Sequence, residues 1–186
     1  MGEKDCLKVG PWGGKGGYNF DDGSYNGVKE IIIVYSKHIN SIRFVYDKRK
    51  RSVLSNHHGG NGGDHTVQIV LKFPEEYLTE ISGYHSYVAN YPTSVIRSLA
   101  FKTNLRSLGP FGNEEGMEFV LPTNGAMVVG FNGRSGRYLD SIGCTLSPKH
   151  NGPTMLNRLN NKLQKKIEEY ANRTTTNNQN SLQKAH

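Results

Sequence analysis

Gly133-Arg134-Ser135-Gly136-Arg137-Tyr138-Leu139-Asp140 reads as a tight turn with strand on its far side. Gly133 and Gly136 let the chain double back and lie bare, with no Cβ to hold a neighbour away. Leu139 opens an alternation that continues through Ile142, Cys144 and Leu146, the two-residue period of a half-buried strand. The same grammar fills most of the chain. Ile31 to Tyr35 is a short β-branched run, and Ile42, Phe44 and Tyr46 alternate with Arg43, Val45 and Asp47. Val67, Ile69, Leu71 and Phe73 form another such set, as do Val95, Arg97, Leu99 and Phe101. Pro74, Gly83, Gly109-Pro110 and Asn124-Gly125 punctuate them.

No 3.6-residue period interrupts this pattern before about residue 148, so the expected fold class is all-β: a sandwich, a barrel or a prism. Short internal echoes point to related sheets. Gly10-Pro11-Trp12-Gly13 returns as Gly109-Pro110-Phe111-Gly112, and Gly13-Gly14-Lys15-Gly16-Gly17 returns as Gly59-Gly60-Asn61-Gly62-Gly63. After Pro148 the character changes. Asn151-Gly152-Pro153 is a breaker and Thr154 an N-cap candidate. Leu156, Leu159, Leu163, Ile167 and Tyr170 then recur at steps of three or four. The expected organisation is a β domain over 1–150, an amphipathic helical extension over 151–172, and a disordered Thr/Asn/Gln-rich tail over 173–186.

The 186 residues are enough for one domain of ordinary size with an appendage. Net charge is +7, but the basic residues form no single long block, so a nucleic-acid partner is not expected. Two cysteines, Cys6 and Cys144, make neither a disulfide framework nor a metal pattern. The polar N-terminus lacks an apolar signal region, and no run has the length of a membrane span, so membrane insertion is not expected. The expected setting is the reducing cytoplasm, with nuclear access as a second expectation.

Chemistry-bearing residues mostly have bland roles. His57, His58 and His65 surround one Gly-rich turn, but no fourth ligand or zinc spacing accompanies them, and no metal or cofactor is expected. Asp21-Asp22, Glu75-Glu76 and Glu114-Glu115 are adjacent acids in turns rather than the opposed pair of a glycosidase. Gly14-Lys15 lacks the spacing and the hydroxyl residue of a phosphate loop. No nucleophile elbow occurs, so catalysis is not expected. Lys48-Arg49-Lys50-Arg51 fits a solvated hairpin tip better than an import signal or a phosphate contact.

The Gly133–Asp140 stretch is chemically more coherent. Arg137 and Tyr138 bring adjacent N–H groups, a cationic stem and a ring, and Asp140 adds an acceptor. Ionised Asp140 can accept from two vicinal hydroxyls, the N–H groups can donate back, and the ring can cover a C–H face. Two roles fit: an ordinary β-turn with exposed Arg and Tyr, or a grip on a sugar.

Taken together, Gly10 to Gly17, Phe20-Asp21-Asp22-Gly23, Gly109 to Gly112, Val129-Gly130-Phe131 and the Gly133–Asp140 turn resemble the jacalin-related lectins, in order and spacing, over nearly all of residues 7–147. The resemblance implies a β-prism I of three four-stranded Greek-key sheets about a pseudo-threefold axis. It implies a carbohydrate site made by the N–H of Gly17, the turn at Gly136, the N–H groups of Arg137 and Tyr138, and the carboxylate of Asp140. Galactose-specific members are cut to free an amino-terminal glycine at the position of Gly17. The uncut loop here resembles the mannose-specific, nucleocytoplasmic branch. A second sugar site in some members implies roles for Gly59, Gly60 and Asn40, although the opposing loop, Lys37-His38-Ile39-Asn40, lacks that site's acids. Family topology also puts Cys6 and Cys144 on neighbouring first and last strands, both reduced. The expected partners are mannose- or glucose-containing glycans, bound by a homo-oligomer without metal or catalysis. The other expectation is an interaction module acting through the C-terminal helix beside a vestigial sugar site.

Overall fold

The computed structural model describes residues 6–148, which contain thirteen β-strands and no helix. The strands are β1 (Leu7–Gly13), β2 (Tyr18–Asp21), β3 (Gly27–Tyr35), β4 (Ile39–Lys48), β5 (Arg51–Leu54), β6 (His58–Gly59), β7 (His65–Val70), β8 (Leu78–Tyr87), β9 (Ser94–Thr103), β10 (Ser107–Gly112), β11 (Met117–Pro122), β12 (Met127–Ser135) and β13 (Leu139–Ser147). They form three antiparallel sheets, ordered β1-β13-β12-β2, β5-β4-β3-β7 (with β6 also on β4) and β10-β9-β8-β11. This is the β-prism I arrangement of the jacalin fold. A long hairpin occupies the centre of each sheet, and the two outer strands are joined by a loop that crosses the end where the hairpin turns.

The alternation read from the sequence supplies the core. Ile31, Ile33, Ile42, Phe44, Ile81, Leu99, Phe131 and Ile142 are fully buried, each on an inward face of its strand. Phe44 and Phe131, from two different sheets, stack with ring centres 3.9 Å apart. Burying side chains of this size accounts for about 2 kcal/mol each, so the sheets hold together through their inner faces.

The short echoes are one device used three times. Gly13 lies opposite Ser141, Gly59 opposite Ser41, and Gly112 opposite Ser98. At each place the following N–H donates to the carbonyl just before that serine: Gly14 to Asp140 (2.8 Å), Gly60 to Asn40 (3.0 Å) and Asn113 to Arg97 (3.1 Å). A Cβ on any of the three glycines would come within 2.3 Å of that same carbonyl oxygen, and all three have positive φ. The sheets are therefore equivalent at the level of individual hydrogen bonds, and residues 140, 40 and 97 hold corresponding positions.

Two details differ from the expected pattern. The second sheet has five strands because its outer strand is broken at Ser55, whose hydroxyl accepts the Phe44 N–H (2.9 Å) in place of a backbone carbonyl. Strand β7 stops at Val70 rather than running to Phe73. Leu71 makes one more bond to Lys29 (2.8 Å) before the turn at Pro74. The basic cluster is a hairpin tip: Lys48 pairs with Arg51, and exposed Arg49 and Lys50 form the turn. Strands β1 and β13 are neighbours, but Cys144 lies opposite Val9 while Cys6 precedes β1, and both cysteines are free. Burial pushes the Cys144 thiol up to about 12. The compact unit closes at Ser147. The helix expected within 151–172 and the tail expected over 173–186 lie outside the described residues.

Candidate functional site

The loop between β1 and β2 and the turn between β12 and β13 meet at one end of the first sheet. Gly17 has a φ of 57°, and a Cβ there would lie 2.3 Å from the carbonyl of Ser135 and 2.6 Å from the Gly136 nitrogen. A Cβ on Gly16 would lie 2.3 Å from the Asp140 Oδ1 and 2.4 Å from the Thr93 hydroxyl. Only bare backbone fits this close to the turn.

Arg134, on β12, fastens that backbone. Its Nε donates to the Gly16 carbonyl and one terminal nitrogen donates to the Gly17 carbonyl, each at 2.8 Å, while the other reaches the Asn19 side chain. A trans peptide sets C=O and N–H in opposite directions. Holding the Gly16 carbonyl on the guanidinium therefore turns the Gly17 N–H the other way. One half-buried arginine thus aims an amide that the glycine itself has no means to aim.

Asp140 sits at the bulge where β12 and β13 slip by one residue, and it is fully buried. Thr93 donates to its Oδ1 at 3.4 Å, whereas its Oδ2 has no hydrogen-bond partner. Burial holds the carboxyl above the ordinary carboxylate range, opposed by the nearby Tyr91 hydroxyl, the Thr93 hydrogen bond and the charge of Arg134. Burial and the Asp140 carboxylate in turn push the Tyr91 phenol up to about 12. The space where a Gly136 side chain would stand is bounded by the Gly17 Cα at 3.1 Å, the Tyr91 hydroxyl at 3.4 Å and the Asp140 Oδ2 at 3.6 Å. A buried acceptor with unused capacity therefore borders a gap that glycine keeps open.

Gly17, Gly136, Arg137, Tyr138 and Asp140 thus lie at one end of the first sheet. The Tyr138 ring is already engaged: His38 meets it edge-on at 4.3 Å, Tyr91 at 5.1 Å, and the Arg137 guanidinium lies 5.5 Å from its centre. Burial, with the nearby charges of Arg97 and Arg137, holds His38 below the usual histidine range. Tyr91, Thr93, Arg134 and His38 were not singled out from sequence. Arg134 lay inside the quoted turn, with a polar strand position as its only signal. The others come from different sheets.

The second trio also converges. Gly60 donates to the Asn40 carbonyl, Gly59 lies against it, and the buried Asn40 side-chain oxygen has no partner. The third corresponding position, Arg97, is plugged. Its guanidinium donates to the Lys37 carbonyl (3.3 Å) and the Ser86 hydroxyl (3.2 Å) and pairs with Glu115. The histidines considered as metal ligands have other partners: His58 bonds Asp22 at 2.8 Å, His57 reaches the Gly60 carbonyl at 3.2 Å, and His65 packs on Tyr35. Among the described residues, no group of three or more His, Cys, Asp or Glu is placed to hold a metal ion.

The jacalin-like lectin domain, as a family, matches residues 9–145. Jacalin-related lectin 19 of Arabidopsis thaliana is 51% identical over 169 residues, covering 90% of this chain and 93% of that one. A galactose-specific lectin of Morus indica is 40% identical over 151 residues, 78% of this chain and 95% of that one. The structure of a mannose-specific jacalin-related lectin from Morus nigra in complex with mannose gives a TM-score of 0.75 at 43% identity, over 79% of this chain and 97% of that one.

Proposed function

The chain belongs to the jacalin-related lectin family, whose members bind carbohydrate without catalysis, and on that premise we propose that it recognises mannose- or glucose-type glycans at the Gly17–Gly136–Asp140 gap. The observation that carries this proposal is the buried Asp140 Oδ2, an acceptor with no partner beside a space kept open by two glycines. A pyranose offers vicinal hydroxyls that each donate and accept. Ionised Asp140 accepts from two of them, and the N–H groups of Gly17, Arg137 and Tyr138 donate to their oxygens through charge-assisted and amide hydrogen bonds. Arg137 and Tyr138 act chiefly through their backbone, so their side chains tune specificity.

Overall similarity does not choose the sugar, since mannose-specific and galactose-specific relatives match at nearly equal identity. The mannose/glucose choice is supported by the continuous Gly13–Gly17 loop. Gly17 carries a peptide N–H, whose plane Arg134 fixes through the Gly16 carbonyl, rather than the free amine that cutting would release.

A hexose has about a dozen heavy atoms, which at about −0.3 kcal/mol each gives roughly millimolar affinity. Useful retention on glycans then requires several sites at once, so the proposed working form is a homo-oligomer. Chromatography on mannan tests the proposal: the wild type should be retained and eluted by mannose or glucose, while Asp140→Ala should pass through unretained. Equal retention of the variant would overturn it.

A further inference from the structure

We propose that the end of the prism opposite the Asp140 gap is a peripheral docking surface for an anionic phospholipid membrane. Strand β4 runs from Ile39, beside the turn whose His38 meets Tyr138, to Lys48 at the basic hairpin tip. Its ten residues cover about 30 Å, so the tip stands at the far end of the domain from that gap. Both surfaces can be occupied together, and neither needs the other.

The tip is held in place. Arg49 and Lys50 have φ of 53° and 67°, the conformation of a two-residue type I′ turn. The Arg49 N–H donates to the Asn26 side chain (3.0 Å) and the Lys50 N–H to the Asp47 carboxylate (3.2 Å). The Asn26 N–H donates to the Asp47 carbonyl (2.8 Å). Arginine and lysine are poor choices at positive φ, where Asn and Gly cost least. The turn therefore gives up some stability to hold Lys48, Arg49, Lys50 and Arg51 in solvent. Among the described residues, none of these four forms an ion pair, nor does Lys72.

Hydrogen bonds join the tip to a wider surface. The Lys29 ammonium donates to the Ser52 hydroxyl (2.8 Å), and the Lys29 carbonyl accepts the Leu71 N–H (2.8 Å). Arg106 donates to the Val70 carbonyl (2.8 Å), which brings in the turn between β9 and β10. Segments 47–52, 70–77 and 103–107 thus lie together, and they carry six cations and three carboxylates. Two of those carboxylates are buried, Asp47 beneath the tip and Glu76 against Arg106 (2.7 Å). Leu105 is 64% exposed and Val70 59%, so aliphatic side chains stand among the cations.

Cations around exposed aliphatics match a membrane surface, where phosphates lie above an acyl boundary. A nucleic acid offers the same phosphates but nothing for Leu105 and Val70. The rings on these segments, Phe73 and Tyr77, are half-buried rather than open for base stacking.

Co-sedimentation of the full chain with vesicles in low salt tests the surface. Phosphatidylcholine vesicles with about one phosphatidylserine in three lipids should bind it, phosphatidylcholine alone should not, and added salt should release it. Arg49→Asn with Lys50→Gly removes two charges and installs the residues that the turn prefers, so the melting temperature should not fall. Each basic residue at such a surface is worth about fivefold in partition, so binding by this double variant should drop about 25-fold. Leu105→Ala should weaken binding several-fold with the same dependence on salt. Saturating methyl α-mannoside should leave vesicle binding unchanged. Equal binding to phosphatidylcholine alone, undiminished binding by the double variant, or release by the mannoside each overturns the proposal. So does displacement by duplex DNA at equal phosphate with Leu105→Ala silent, which would assign this end to nucleic acid.

Discussion

Residues 36–40 and 136–140 lie one hundred positions apart in two different sheets, and their turns match in burial position by position. Each turn is capped by a glycine loop whose first N–H bonds the backbone carbonyl of residue 40 or 140. Each also ends in a buried side chain with one oxygen left without a partner. The difference is an amide at Asn40 against a carboxylate at Asp140, together with the surroundings that serve each. Arg134 staples the glycine loop of the first sheet. At the corresponding place on β3 stands Val34, which has no donor to do the same. A repeated scaffold can therefore present the same backbone several times, while the proposed sugar chemistry rests on one buried charge and one arginine.

Three experiments strain that comparison. The largest effect is expected from Asp140→Asn, which makes the first turn chemically like the second. Sugar binding should fall below detection, because an amide oxygen accepts more weakly than a carboxylate and its NH₂ cannot accept at all. Stability should move the other way. Burial raises the carboxyl pKa in the folded state, so ionisation costs the wild type stability as pH rises from the ordinary carboxylate range through that raised value. The variant escapes this cost. Its melting temperature should exceed that of the wild type by about 2–4 °C at neutral pH, with no excess in strong acid. A variant that still binds, or one that melts lower at neutral pH, would break the comparison.

Asn40→Asp runs the exchange in reverse. Calorimetric stoichiometry should rise from one sugar per chain towards two, with the new site several-fold weaker because no arginine aims its glycine loop. A stoichiometry that stays at one would show that the carboxylate is not the missing part.

The smallest effect concerns pH. Binding needs ionised Asp140, so it should decline as pH falls through the raised pKa of that residue. Tyr91→Phe removes a hydroxyl that lowers this pKa, and the midpoint of the decline should move to higher pH, read by titrating binding in a series of buffers. A midpoint that stays or moves down would assign the titration to another group.

Much of the fold was legible because its core obeys a two-residue period. Ile31, Ile33, Ile42 and Phe44 show themselves through neighbours of opposite character, and glycines mark the turns. The break at Ser55 was not legible, since a serine that stands in for a backbone carbonyl looks like any other serine. At the site, Gly136 and Asp140 announced themselves as one local stretch, and the Gly13–Gly17 loop entered through its echo and the family resemblance. Tyr91 and Thr93 could not be found that way. They reach Asp140 from the hairpin of another sheet, and nothing in a linear pattern records which turns share an end of the prism. His38, against Tyr138, was hidden for the same reason.

The pairing of β1 with β13 has a consequence for how the protein is made. Leu7 lies opposite Leu146 and Gly13 opposite Ser141, so the sheet that holds Asp140 joins the first strand of the chain to the last. During synthesis the other two sheets can assemble from contiguous sequence, but this one must wait, with its glycine loop waiting on a carboxylate more than a hundred residues behind. Contacts of that separation form late and carry the largest loop-closure cost. A nascent chain stopped anywhere short of Asp140 holds half of the proposed site and none of its grip, so sugar binding there would report on completion of the whole domain.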